Sequence, residues 1–297
     1  MAETIDLHDA AAVADLCHEA ATVLRERPER HGCSVRLPAR GRLLVTGDLH
    51  DNRPMLDAAC ALADLDADAG HHLLVQELIH GEQLVNDMDL SYRMLVRVAG
   101  LVVRYPGQVH PLLGNHEISQ LTGRGVSKGA GDSTRLFNDG LDWVFAEDSD
   151  RVRAGLEAFL RALPLALFTS DGVACMHALP NERQMTWYDP GVVDRSLEED
   201  DYLGPSGQAY MQCWGRVHGQ EQVDGLCARW GVRFICIGHR HVEDGVDAPL
   251  ERLLILNSDH ARAKALPLAL DAVPPTARAA LGSVVPLVPP GLGDDAW

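Results

Sequence analysis

Apolar residues fall into two patterns along this chain. Some form short unbroken runs, and others recur every three or four positions over longer stretches. Unbroken runs read as strands buried on both faces, and the three-to-four spacing reads as amphipathic helix. Residues 42–46, 72–76 and 109–113 are runs of the first kind, and further runs lie near 172–176, 233–237 and 252–256. Residues 5–27 are of the second kind, with Ile5, Val13, Leu16, Ala20, Val23 and Leu24 roughly on one face and Pro28 past the end. Asn52 can cap a helix that carries Pro54 in its first turn and runs to about residue 67. Helices are also expected over 90–105, stopped by Pro106, over 151–163, ended by Pro164, and near 219–230. Strands and helices alternate without an internal repeat, which indicates an α/β layered domain. One domain is expected over 1–273, with 1–40 as a helical extension. The stretch 274–297, rich in Pro, Gly and Ala, reads as a loosely packed tail. The glycine-rich segment 122–132 is too long and polar for a simple turn and is expected to cover a site.

Composition narrows the choice of function. At 297 residues and 46% hydrophobic, the chain can build a normal globular core. Its formal charge is −17, which argues against nucleic acid and anionic membranes as partners, although bound metal reverses the sign locally. The seven cysteines form no CxxC pair, and several sit in apolar runs, so they read as reduced core residues. No apolar stretch approaches the roughly 20 residues of a membrane span. The N-terminus lacks a signal-peptide pattern, so a cytoplasmic location is expected.

Candidate chemistry sits at the ends of the apolar runs. Gly47-Asp48-Leu49-His50 offers a carboxylate and an imidazole two residues apart, which in extended backbone point the same way and can reach one cation. Gly114-Asn115-His116-Glu117 offers an amide oxygen and an imidazole, although Asn115 can equally cap a helix. His177 ends the run Val-Ala-Cys-Met, where a lone histidine is more often a hydrogen-bonded core residue. Gly238-His239-Arg240-His241 offers two imidazoles after another run. A carboxylate, an amide oxygen and several imidazoles at buried strand ends suit a two-metal site, and such sites hydrolyse phosphate esters.

The ordered set resembles the calcineurin-like metallophosphoesterases, particularly their phosphoprotein-phosphatase branch. The pattern there is Gly-Asp-x-His, Gly-Asp-x-x-Asp, Gly-Asn-His-Glu, a strand-end His and Gly-His-x-His, and the match covers about residues 42 to 260. Further likeness lies around Leu203 to Trp214 and in Leu254-Ile-Leu-Asn-Ser. The resemblance implies an α/β fold of two packed mixed β-sheets flanked by helices, a sandwich with a dinuclear site at the sheet edges. It implies one metal on Asp48, His50, Glu77 and His241 and a second on Glu77, Asn115, His177 and His239. His116 would protonate the leaving oxygen. The second motif departs from the pattern: Glu77 stands where the bridging aspartate is expected, His80 stands at the second aspartate, and Asp87 or Asp89 is the alternative bridge. The arginine expected beside that motif is replaced by Gly81-Glu82, leaving Arg216, Arg124 and Arg183 as candidate phosphate ligands.

The implied activity is phosphomonoester hydrolysis by a metal-bridging hydroxide, with a phosphorylated small molecule or phosphoprotein as substrate. A phosphodiesterase using the same site and a non-catalytic metal- or phosphate-binding relative are the competing readings. The mixed oxygen and nitrogen donors suit two divalent transition ions, Mn²⁺ first, with Fe or Zn²⁺ as alternatives. Trp187, Tyr188 and Tyr202 are candidates to stack on a substrate ring.

Overall fold

The computed structural model describes residues 5–124, 127–128 and 131–289. The strands are β1 (Arg30–His31), β2 (Ser34–Leu37), β3 (Arg42–Asp48), β4 (His71–Gln76), β5 (Val109–Leu112), β6 (Ser127–Lys128), β7 (Gly131–Asp132), β8 (Ala166–Thr169), β9 (Val173–Met176), β10 (Phe234–Ile237), β11 (Val246–Leu250), β12 (Leu253–Leu256), β13 (Lys264–Ala269) and β14 (Val285–Pro286). The helices are α1 (Ala10–Glu26), α2 (Arg53–Ala63), α3 (Tyr92–Arg104), α4 (Asn115–Thr122), α5 (Ser133–Phe145), α6 (Ser149–Leu160), α7 (Gln208–Trp214), α8 (Gln220–Trp230) and α9 (Ala277–Ala280).

Two mixed sheets carry the fold. One runs β1-β2-β8-β9-β10-β12-β11, and the other runs β14-β13-β3-β4-β5. The unbroken apolar runs are explained by what each strand face covers. Leu43, Val45, Leu74, Phe234, Cys236, Leu254 and Leu256 fill the layer between the sheets. Their neighbours Leu44, Leu73, Val75, Ile235 and Ile237 face the helical layers. Strands buried on both faces have no reason to alternate with polar residues. All seven cysteines are free, and Cys175 and Cys236 lie in the layer between the sheets.

Helix ends follow local chemistry. Asn52 Oδ1 accepts from Met55 N at 3.3 Å at the start of α2, and Asp9 caps α1 in the same way. The six expected strand runs all appear, and the expected helices appear with trimmed ends. Strand β13 is hidden in the sequence by Pro267, a residue suited to a strand edge. Its partner β14 pairs only with Lys264 and Ala265, so Pro267 lies where that edge is uncovered.

Both termini are more integrated than the sequence suggests. Helix α1 packs on α3 and α6, and β1 and β2 extend the larger sheet, so 1–40 is no appendage from residue 5 onward. The expected loose tail is corrected over 274–289. Thr276 caps α9, whose Ala277 and Ala280 are buried, Leu287 is buried, and β14 joins the smaller sheet. Alanine side chains are small enough for α9 to lie close against the sheet, which composition alone does not reveal. Residues 290–297 lie outside the described part, as do 125–126 and 129–130 of the expected loop over 122–132. Among the described residues, no helix is long and apolar enough to cross a membrane.

Candidate metal centre

The site lies where the two sheets meet at their strand ends. Gly47 N donates to Ser258 Oγ at 2.8 Å, and Asp48 bridges in parallel to Asn257, which joins β3 to the segment after β12. The loops are tied to one another by backbone bonds. His50 N donates to Glu77 O at 2.8 Å, Asp51 N to Leu78 O at 2.9 Å, and Gly238 N to His177 O at 3.0 Å. Three of the expected ligand residues take left-handed backbone, with φ of 44° at His50, 50° at Glu77 and 64° at His239. Such conformations cost about 1–3 kcal/mol each and gather at functional sites. Two glycines allow close approach. A Cβ at Gly114 would stand 2.5 Å from Glu77 Oε2, and one at Gly238 would stand 2.2 Å from Asp48 Oδ1.

Polar atoms converge here in two groups that share Glu77. In the first, His177 Nε2 lies 2.6 Å from Glu77 Oε2, 2.9 Å from Asn115 Oδ1 and 3.0 Å from His239 Nδ1. One imidazole nitrogen carries at most one proton, so it cannot satisfy three such neighbours. A cation among them would. His239 Nε2 is also buried without a hydrogen-bond partner among the described residues. Burial lowers the pKa of His177, and burial together with nearby His177 and Arg216 brings His239 down to about 2. Both rings are therefore neutral, the form that ligates metal. The donor set thus fits a divalent ion.

The second group brings together His50, Glu77 and His116, whose ligand atoms lie within 4.8 Å of one another. His116 Nε2 is 4.0 Å from Glu77 Oε1, and its backbone N donates to that oxygen at 2.8 Å. The partition differs from expectation. His116, expected only as an acid, stands among the ligand atoms. His241 belongs to neither group: it is exposed, with its ring 5.2 Å from that of His260. It lines a cleft of about 330 Å³ beside His50, Gly81, Glu82 and Asp259. Asp48 leans toward the first group. Its Oδ1 accepts from His239 N at 2.9 Å and lies 3.7 Å from His177 Nδ1. Burial pushes its pKa up to about 7, against the pull of His177 and with the push of Glu77.

The remaining candidates sort by their contacts. Asp89 is buried but accepts from Ser91 N at 2.8 Å beside the start of α3, and Asp87 is exposed, so neither joins the two groups. His80 Nδ1 lies 3.0 Å from His116 Nδ1, and His80 Nε2 lies 3.3 Å from Gln120 Oε1. Arg216 reaches the loop that carries His239 by donating to His239 O at 3.1 Å. Arg124 is exposed and donates to Gly204 O at 3.1 Å, and Arg183 is exposed. Trp187 is 69% exposed and available for stacking. Tyr188 and Tyr202 are buried, with the Tyr188 hydroxyl on Gln212, so they act in packing.

Two contributors do not stand out from the sequence. Glu117 is buried and accepts from Leu78 N at 2.7 Å and Gly114 N at 3.1 Å, pinning the loops that carry Glu77 and Asn115. Gln76 reaches His177. A buried Glu three residues after Gly114 is a capping-box signal that could have found the former.

No curated protein matches the chain. Among solved structures, a protein serine/threonine phosphatase from Saccharomyces cerevisiae, with similarity to human phosphatase PP5, aligns at 16% identity. It covers 88% of this chain and 82% of its own, with a TM-score of 0.62. A cold-active protein-tyrosine phosphatase of the psychrophile Shewanella sp. aligns at 16% identity over 90% of this chain and 84% of its own, with a TM-score of 0.58. At such identity the likeness is one of fold. The family model of calcineurin-like phosphoesterases matches residues 41–243, the span that contains both ligand groups, and the chain belongs to that family.

Proposed function

We propose that the chain is a metal-dependent phosphatase that hydrolyses phosphomonoesters at the two ligand groups sharing Glu77. The observation that carries this reading is the convergence on His177 Nε2, since three neighbours at 2.6 to 3.0 Å on one nitrogen call for a cation. Glu77, Asn115, His177 and His239 would hold one ion, with Asp48 alongside, and His50 and Glu77 the other, with the His116 ring beside them as proton donor rather than ligand. When bound, a pair of divalent cations stabilises charge on phosphoryl oxygens and acidifies water. Mn²⁺ suits the donors best, with Fe and Zn²⁺ next.

The chain's own residues supply binding and a proton. Arg216, anchored on His239 O, is the leading phosphate ligand, ahead of Arg124 and Arg183. The bond from water oxygen to phosphorus forms as the ester P–O bond breaks, and the leaving oxygen takes a proton. His116 is its source. Because His80 Nε2 faces Gln120 Oε1, a neutral His80 accepts the His116 Nδ1 proton, and the transferable proton is then the one on His116 Nε2. Such donation is typically worth about 10²–10⁴-fold in rate. A phosphorylated small molecule or phosphoprotein in the cytoplasm is the substrate this reading favours. The phosphodiester reading has one observation in its favour, the replacement of the expected arginine by Gly81-Glu82. Hydrolysis of para-nitrophenyl phosphate and its bis ester, on stripped protein with Mn²⁺ restored, separates the two. Monoester preference supports the proposal, diester preference replaces it, and two bound metals with no turnover of either overturns it for simple esters.

A further inference from the structure

Gln76 ends β4 immediately before Glu77, and its side chain is buried at 1% exposure. The ladder between β3 and β4 changes register at this point: Val45 pairs with Leu74, but Asp48 pairs with Gln76. Strand β3 therefore takes three steps where β4 takes two. Such a bulge leaves backbone groups without ladder partners. The Gln76 amide fills the gap, with Nε2 donating to Thr46 O at 2.9 Å. A carbonyl oxygen only accepts, so the amide nitrogen must face Thr46 and the amide oxygen must face the other way.

On that other side, Gln76 Oε1 lies 3.1 Å from His177 Nδ1. An amide oxygen cannot donate, so this contact is a hydrogen bond only with the His177 proton on Nδ1; a proton on Nε2 would serve Glu77 Oε2 at 2.6 Å instead, and Gln76 favours the tautomer that leaves Nε2 open to a cation. A neutral imidazole has one N–H. In that tautomer the lone pair is on Nε2, the atom facing Glu77, Asn115 and His239. Room for this contact comes from Gly238, where a Cβ would stand 2.8 Å from Gln76 Oε1. Gln76 also occupies the place where the second family motif carries glycine, so the contact belongs to this chain rather than to the motif.

We infer that Gln76 is a positioning residue, whose amide closes the β3 bulge and fixes the His177 tautomer so that Nε2 faces the metal. This rests on the metal reading of the site, and the test separates the two. Long-range nitrogen–proton correlation spectra of histidine-labelled, metal-free protein report which ring nitrogen of His177 is protonated. Calorimetry with Zn²⁺ alone reports affinity. Gln76→Leu removes both contacts, whereas Gln76→Glu loses the donor to Thr46 but keeps an acceptor for Nδ1–H. The inference expects the Nδ1–H tautomer in wild type and Gln76→Glu, and its loss in Gln76→Leu. It expects Zn²⁺ binding about 10–100-fold weaker in Gln76→Leu, the usual cost of losing a ligand's orienting partner, and no such loss in Gln76→Glu. Gln76→Met serves the same comparison should the leucine variant not fold. An Nε2–H tautomer in wild type overturns the inference, as does wild-type affinity in Gln76→Leu. Equal weakening of both variants also overturns it, because they share only the open Thr46 carbonyl. If wild type binds no Zn²⁺, the metal reading fails and the spectra alone decide the role of Gln76.

Discussion

Replacing Gly238 by alanine adds one methyl group at the tightest point of the site. Its carbon would stand 2.2 Å from Asp48 Oδ1 and 2.8 Å from Gln76 Oε1, both well inside contact distance. Neither oxygen can step aside freely. Asp48 Oδ1 accepts from His239 N at 2.9 Å, and Gln76 is held between Thr46 O and His177. Relieving the first clash requires a shift of about 1 Å, enough to break the Asp48–His239 bond, worth roughly 1.5–3 kcal/mol for a charged acceptor. Overpacking adds about 1–3 kcal/mol. The sum, about 2.5–6 kcal/mol, corresponds to a fall in melting temperature of roughly 4–10 °C for a chain of this size. Displacing Asp48 and Gln76 should also weaken metal binding by about 10–100-fold. Thermal melts of stripped protein and calorimetric titration with Zn²⁺ read the two effects separately. A variant that melts and binds metal like wild type would refute the packing described around Gly238.

Three further outcomes are expected. Gly225 in α8 has open space where an alanine methyl would stand, so Gly225→Ala should raise stability by about 0.5–1 kcal/mol in urea titration through helix propensity alone. Buried His110 sits beside Arg27 and His72, and burial first, then the Arg27 guanidinium and the His72 ring, holds its pKa well below the ordinary value. The unfolded chain takes up a proton below about pH 6.5 that folded His110 refuses, so stability is lost as pH falls below that value, at up to about 1.4 kcal/mol per unit. His110→Asn should flatten the pH dependence of the urea midpoint between about pH 7.5 and 5 relative to wild type, and an unchanged slope would count against a neutral, buried His110. Finally, His116→Ala should cut turnover; retention of both metals would favour a proton donor, and loss of one would make the ring a ligand.

Most strands are legible in the sequence because both of their faces are buried. The run Leu43-Leu44-Val45 serves two layers at once, Leu43 and Val45 between the sheets and Leu44 toward the helices, so it has to be apolar throughout. The candidate ligands are legible because each stands where such a run ends. Their partition is not. Helix α4 begins at Asn115, so successive side chains turn about the helix axis, and His116 faces His50 rather than away from it. His241 follows the left-handed turn at His239 and ends outside, against His260. Spacing alone does not encode these directions. The role of Gln76 is hidden for a similar reason, since it depends on a one-residue bulge that no pattern of apolar positions records. Residues 274–289 read as a loose tail because composition cannot tell an alanine-rich linker from a small helix that fits closely against a sheet.

The central claim is that two metal groups share one carboxylate. Glu77 is the only residue common to both groups found among the described residues. The most direct test is the metal content of wild type and Glu77→Ala after saturation with Mn²⁺ and removal of free ion, with circular dichroism to confirm the fold. Two ions per wild-type chain, falling to one or none in the folded variant, is the predicted result. Two ions retained without Glu77, or none bound by wild type, would contradict the account.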